Sequence, residues 1–180
     1  MRCWKRLHKM PTLQQKIEQF KAEIGTRQLN VEQQRVYNAF VYRRVKPYKF
    51  VVNDRYGNTI RFTLYTNKTS DGVVHILMKH YRGEIGCVTA WEVLNFCDII
   101  RNGELKTSNS GLTYCWIKGA NVYTLKVGLK VTKTDENILK SVYSNKKVSS
   151  TACNRNTRWV PGVPMTRNRC KGITKKRNSK

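Results

Sequence analysis

Two of the three histidines in this 180-residue chain, His75 and His80, stand five positions apart in the run VVHILMKHYR, with Lys79 and Arg82 beside them. Those side chains suit one kind of chemistry. Cleaving RNA without a metal needs a base to take the 2′-hydroxyl proton and an acid to protonate the departing 5′-oxygen. It also needs cations against the transient charge on phosphorus. Imidazole titrates in the right range for the first two tasks, and Lys or Arg serves the third. His80 is the candidate acid/base, His75 its partner, and Lys79 and Arg82 the candidate cations. A solvated basic face with one packed histidine is the bland alternative. A metal site is the weaker reading, because residues at i and i+5 of an α-helix lie on different faces and no carboxylate falls beside His75.

The elements around this run must position it. Val74, Leu77, Met78 and Tyr81 recur at the helical interval, which predicts a helix with its apolar side inward. His75, Lys79 and Arg82, at i, i+4 and i+7, are expected within one arc of the opposite side. Thr89 and Glu92 have capping-box spacing, and Val93, Phe96, Cys97 and Ile100 continue an apolar stripe to Asn102-Gly103, predicting one helix over 89–102. Upstream, Thr12 and Gln15 open a helix carrying Leu13, Ile17, Phe20 and Ile24 and closed by Gly25. Asn30 caps a second that ends before Pro47. Between these pairs the period changes to two. YKFVV (48–52) and TIRFTLY (59–65) read as strands, with Ile60, Phe62 and Leu64 inward and Arg61, Thr63 and Tyr65 outward. LTYCWIK (112–118), VYTLKVGLKV (122–131) and ILKSVYS (138–144) are three more. The order predicts an α+β fold: an N-terminal helical hairpin, then helices packed on an antiparallel β-sheet meander, then a basic disordered tail. The domain division expected is 1–47 for the leader and helical extension, 48–150 for the α+β domain and 151–180 for the tail.

Charge narrows the partner. Thirty-five Lys and Arg against eleven Asp and Glu leave a net +24, which repels itself until a polyanion neutralises it. Nucleic acid fits that demand. Arg61, Lys118 and Lys147, with Arg155, Arg158, Lys175, Lys176 and Arg177 of a tail lacking acids after Glu136, are candidate phosphate contacts. Tyr65, Tyr81, Tyr114, Trp116 and Tyr123 are candidate stacking platforms, which favours RNA or single strands over duplex DNA. No CxxC pair occurs among the six cysteines, so a zinc ribbon is not expected, and Cys87, Cys97 and Cys115 read as small buried hydrophobes. No apolar run spans a membrane, and the basic start lacks a secretory apolar core. A reduced, cytoplasmic setting follows as the expectation, with no membrane partner and no cofactor.

The order of a histidine-bearing HILMKH helix, an AWEVLNFCDIIRNGE helix, a GLTYCWIKG–VYTLKVGL hairpin and a closing VYSNKK strand resembles the phage-associated nucleases of the barnase–EndoU–colicin–RelE-like superfamily. The resemblance covers about residues 73–148. It implies a compact α+β endoribonuclease, toxin- or effector-like, that acts on tRNA or other cellular RNA without metal, with an immunity or antitoxin protein as a further partner. Carried onto this chain it matches His80 and Lys79 to the family's helix pair, with His75 a turn earlier, and Ser144 and Lys146 to its closing-strand hydroxyl and cation. Barnase uses a Glu base, and no Glu here stands in a matching place, so His75 and His80 are the candidates for that role. Two functional readings stand: a metal-independent endoribonuclease, and a non-catalytic protein, degenerate nuclease or packaging factor, that only binds nucleic acid.

Overall fold

The computed structural model describes residues 10–43, 47–83, 86–109, 111–118, 123–132 and 136–145. The tail and its candidates Arg155, Arg158, Lys175, Lys176 and Arg177, together with Lys146 and Lys147, lie outside them. Two helices come first, α1 (Leu13–Ile24) and α2 (Val31–Val41). Each opens on a complete capping box, Thr12 with Gln15 and Asn30 with Gln33, so two of the orphan N–H groups at each helix start are satisfied locally. Gly25 closes α1 at φ 62°, a left-handed conformation that glycine adopts without steric cost.

A β-hairpin follows, β1 (Tyr48–Asn53) and β2 (Thr59–Leu64). Three short helical pieces come next: α3 (Val73–His75) running into a π turn (Ile76–His80), then α4 (Ala90–Leu94) and α5 (Phe96–Asn102). The expected single helix over 89–102 keeps its Thr89–Glu92 capping box but breaks at Asn95. The reason is a side-chain bond that competes with the helix. Asn95 donates to the Trp91 carbonyl and accepts from Gln33 of α2, so it ties two helices together and gives up a helical backbone. Strands β3 (Glu104–Ser108), β4 (Gly111–Lys118), β5 (Tyr123–Val131) and β6 (Asn137–Ser144) complete the chain. The edge strand β3 was not legible, since its ELKTS sequence has no apolar alternation and is mostly exposed.

The sheet runs β1-β2-β6-β5-β4-β3. It is antiparallel throughout except where β2 meets β6 in parallel over two residue pairs. Register sorts the side chains into two faces. Leu105, Tyr114, Val127 and Val142 form one cross-strand row, and Trp116, Leu125 and Ser144 another, both turned to the helices. Lys106, Thr113, Gly128 and Ser141 form a row on the open face, and Glu104, Cys115, Lys126 and Tyr143 the next.

One hydrophobic core joins all of this, from Ile17, Phe20, Val36 and Phe40 of the helical hairpin to Leu139 and Val142 of β6. Phe20 stacks on Phe40 and meets Tyr81 edge-on, while Phe50, Phe62 and Phe96 cluster beneath the first hairpin. Cys97 and Cys115 are free thiols, the first buried. Cys87 is buried, as expected of a small hydrophobe, but it is disulfide-bonded rather than a free thiol. Among the described residues no helix is long and apolar enough to cross a membrane.

Candidate functional site

The two histidines meet because the helix that carries them is not an α-helix. At about 100° per residue, positions five apart on an α-helix would diverge by about 140°. Here Tyr81 N–H donates to the Ile76 carbonyl at 2.7 Å, an i→i+5 bond that closes a π turn over Ile76–His80. The wider turn brings residue i+5 back over residue i, and single π turns recur at functional sites. The imidazole centroids of His75 and His80 are 5.1 Å apart at 70°. The expectation that they cannot share a face is thereby corrected. Val73, Ile76 and Leu77 of the same segment are buried in the core, which fixes its orientation.

The stretches 65–83 and 86–88 are tied by backbone hydrogen bonds to the end of β2 and to β6. Val73 N–H donates to Tyr65 O, Gly72 N–H to Lys140 O, and Ser144 N–H to Gly86 O. The histidine edge thus comes out on the open side of the sheet. His80 lies 5.5 Å from the Tyr143 ring, centroid to centroid. A Cβ at Gly86 would stand 2.9 Å from His80 Nδ1 and 3.1 Å from Tyr143 Cβ, and Gly86 has φ +69°. Only glycine lets the backbone pass this close to the pair.

Together they border a groove of about 260 Å³ lined by His75, His80, Ser108, Gly111, Thr113, Gly128, Leu129, Lys140, Ser141 and Tyr143. Lys140 enters through a bulge. Gly128 pairs with Ser141 and Leu129 with Leu139, leaving Lys140 as the extra residue and re-aiming it. Burial pulls the His75 pKa below its ordinary value. The Asp71 carboxylate and a hydrogen bond to the Thr69 backbone oppose that pull, and Lys79 and Lys140 reinforce it. The net effect favours the neutral imidazole, the form that accepts a proton. Among the described residues no group of three or more His, Cys, Asp or Glu could hold a metal ion.

Other expected site residues fall elsewhere. Arg82 is not on the histidine arc, because the helix has ended. It adopts φ 47° and its guanidinium pairs with Glu23 of α1 at 2.9 Å. Lys79 is exposed on the π turn, close enough to act on His75 but not lining the groove. Ser144 is buried on the core face, its hydroxyl donating to the Cys87 carbonyl, so it is a structural residue. Tyr114 is also corrected: it is fully buried, its hydroxyl donates to Asp54, and no base can stack on it. Tyr81 is likewise buried, its hydroxyl donating to Glu23. Trp116 packs half-buried against the core. Arg61 is exposed on the open face, and Tyr65 is half-buried beneath Lys68, whose ammonium sits 4.2 Å from the ring centroid. Lys118 ends β4 and Tyr123 begins β5; both side chains lie outside the described residues.

The open face is basic. Its rows carry Lys49, Arg61, Lys106, Lys126 and Lys130, and Glu104 is the one acid among its described strand residues. Lys140, Ser141, Tyr143, Thr113 and Gly128 were missed as site residues. A signal for two of them was present: Val142 is apolar, so on a period of two Ser144 shares its buried face while Ser141 and Tyr143 look outward. No protein-family model, no curated protein and no solved structure matches the chain.

Proposed function

We propose that the protein binds RNA on the open face of its sheet and cleaves it in the histidine groove without metal. The observation that carries this reading is the pair of imidazoles 5.1 Å apart at the edge of a groove in a basic sheet face. His75, held toward its neutral form, takes the proton of a ribose 2′-hydroxyl. The freed oxygen attacks the adjacent phosphorus and forms a 2′,3′-cyclic phosphate. The bond to the 5′-oxygen breaks, and protonated His80 supplies that oxygen's proton. The Lys140 ammonium, at the same groove, opposes charge on the phosphorane. Substrate would arrive along the lysine rows by counterion release.

The resemblance to toxin-like nucleases agrees with this reading on the helix pair but not on the closing strand, where Lys140 and Tyr143 replace Ser144 as the groove's polar groups. The test is incubation with total RNA in excess chelator, followed by mapping of the ends. His80→Ala is expected to lower cleavage by about 10²-fold or more with RNA affinity within a few-fold. A full rate in that variant, or a strict magnesium requirement, overturns the proposal. The basic rows equally suit a non-catalytic RNA-binding protein, and binding without any cleavage by the wild-type chain selects that second reading.

A further inference from the structure

The floor of the groove holds a feature that the acid–base pair does not use. Ser141 is 5% exposed and its Oγ has no hydrogen-bond partner. A buried hydroxyl left unpaired is costly, by about 1–3 kcal/mol, so sites that keep one need a reason. Ser141 lines the groove. Directly across the strand pair is Gly128, and beyond it Thr113, in the row Thr113–Gly128–Ser141. The glycine is not there for its backbone, since no positive φ is recorded for it, and a Cβ would meet nothing nearer than Ser141 O at 4.0 Å. Its missing side chain leaves space above the sheet beside the orphan hydroxyl. Tyr143, in the adjacent row, puts an aromatic ring at the same groove, with the Lys126 ammonium 5.7 Å from its centroid.

We infer that this floor is a subsite for one unpaired nucleobase of a single-stranded RNA, stacked on Tyr143, admitted by Gly128 and read at its polar edge by Ser141. An aromatic face beside a cation is the platform on which bases stack whatever their identity. Discrimination among bases needs a polar group that a correct edge satisfies and a wrong one leaves unpaired, and Ser141 is that group. At about 260 Å³ the groove is below the usual range for a drug-sized ligand, about 300–1,000 Å³, which suits a single base better than a stacked pair. The subsite deepens the ribonuclease reading: the base bound here belongs to the nucleotide whose phosphate faces His75 and His80.

The experiment uses the full chain and four 2′-deoxy dinucleotides that differ in the 5′ base. They lack the attacking hydroxyl, so they report binding and not chemistry. The wild type is expected to favour one base, and Ser141→Ala to flatten that preference by about fivefold, the equivalent of one hydrogen bond. Because the substitution removes an unpaired hydroxyl, its thermal midpoint is expected to hold or rise, whereas loss of a merely structural residue would lower it. Gly128→Ala, whose Cβ the fold accommodates, and Gly128→Val are expected to weaken all four dinucleotides progressively while inorganic phosphate binds the histidines as before.

Base preference unchanged in Ser141→Ala overturns the subsite, as does undiminished dinucleotide binding in Gly128→Val. No dinucleotide binding by the wild type overturns it as well. Base-dependent binding that Ser141→Ala abolishes, in a chain that cleaves no RNA, upholds the subsite and discards the nuclease. Cleavage with no base dependence does the reverse.

Discussion

Removing Glu23 tests whether the N-terminal helix holds the histidine pair in place. Its carboxylate, 8% exposed, accepts from the Tyr81 hydroxyl, from Arg82 Nε and from the Ala90 N–H, each at 2.9 Å. Lys16, about two turns earlier on α1, donates to the Tyr81 carbonyl at 2.8 Å. Helix α1 therefore grips the two residues that follow the π turn and the first residue of α4. In Glu23→Ala the Tyr81 hydroxyl and the Ala90 N–H lose their partner in buried surroundings, at about 1–3 kcal/mol each. The Arg82 pair is 39% exposed on the arginine side and adds less than about 1 kcal/mol. The total is about 4 kcal/mol, or about 10–20 °C in thermal midpoint for a domain of this size. Glu23→Gln keeps one acceptor and is expected to lose about half as much.

Two measurements made well below the thermal midpoint, the imidazole resonances and kcat, separate bracing from bulk stability. Circular dichroism gives the midpoint, and the imidazole proton resonances of His75 and His80 report their mutual geometry without relying on activity. Both resonances are expected to shift in Glu23→Ala, with kcat falling by about tenfold and KM little changed, and Glu23→Gln lying between. A midpoint that drops as calculated, with unmoved imidazole resonances and an unchanged kcat, refutes the brace and leaves α1 a stabilising element alone. An unchanged midpoint refutes the energetics.

Three further outcomes are expected. The folded-state pKa of His75 lies below the ordinary value of about 6.5, so the folded chain binds fewer protons than the unfolded one. That contribution to stability is present above about pH 6.5 and is lost as pH falls below it, and His75→Gln removes this dependence in thermal unfolding along with the acid limb of kcat/KM. Deleting residues 154–180, which carry nine Lys and Arg, is expected to flatten log K against log salt by about 0.7 per lost phosphate contact on single strands; an unchanged slope means these cations do not meet the RNA. Tyr114→Phe removes the bond to Asp54 and is expected to cost about 1 kcal/mol in denaturant unfolding with RNA affinity unchanged. Weakened binding in that variant would restore Tyr114 to the nucleic-acid surface.

The local elements were legible because their signals are local. Thr12, Asn30 and Thr89 each cap through a partner three residues away, and Ile60, Phe62 and Leu64 alternate on a strand with one wet face. The basic balance and the histidine run were legible for the same reason, as matters of residue type. What the site does with them depended on contacts between distant segments. The π turn arises where α1 grips Tyr81 and Arg82 through Lys16 and Glu23, more than fifty residues away, and no helical periodicity announces it. The same grip takes Arg82 out of the cation set. Lys140 reaches the groove only because a bulge opposite Gly128 and Leu129 shifts the register of β6 by one residue. A period of two assigned along one strand cannot see such a shift, since it is defined by the partner strand. Residue type and spacing determined which chemistry the chain could support. Which side chains share a groove was decided by pairing between strands and by packing of α1 on the π turn, interactions that exist only once the chain has folded.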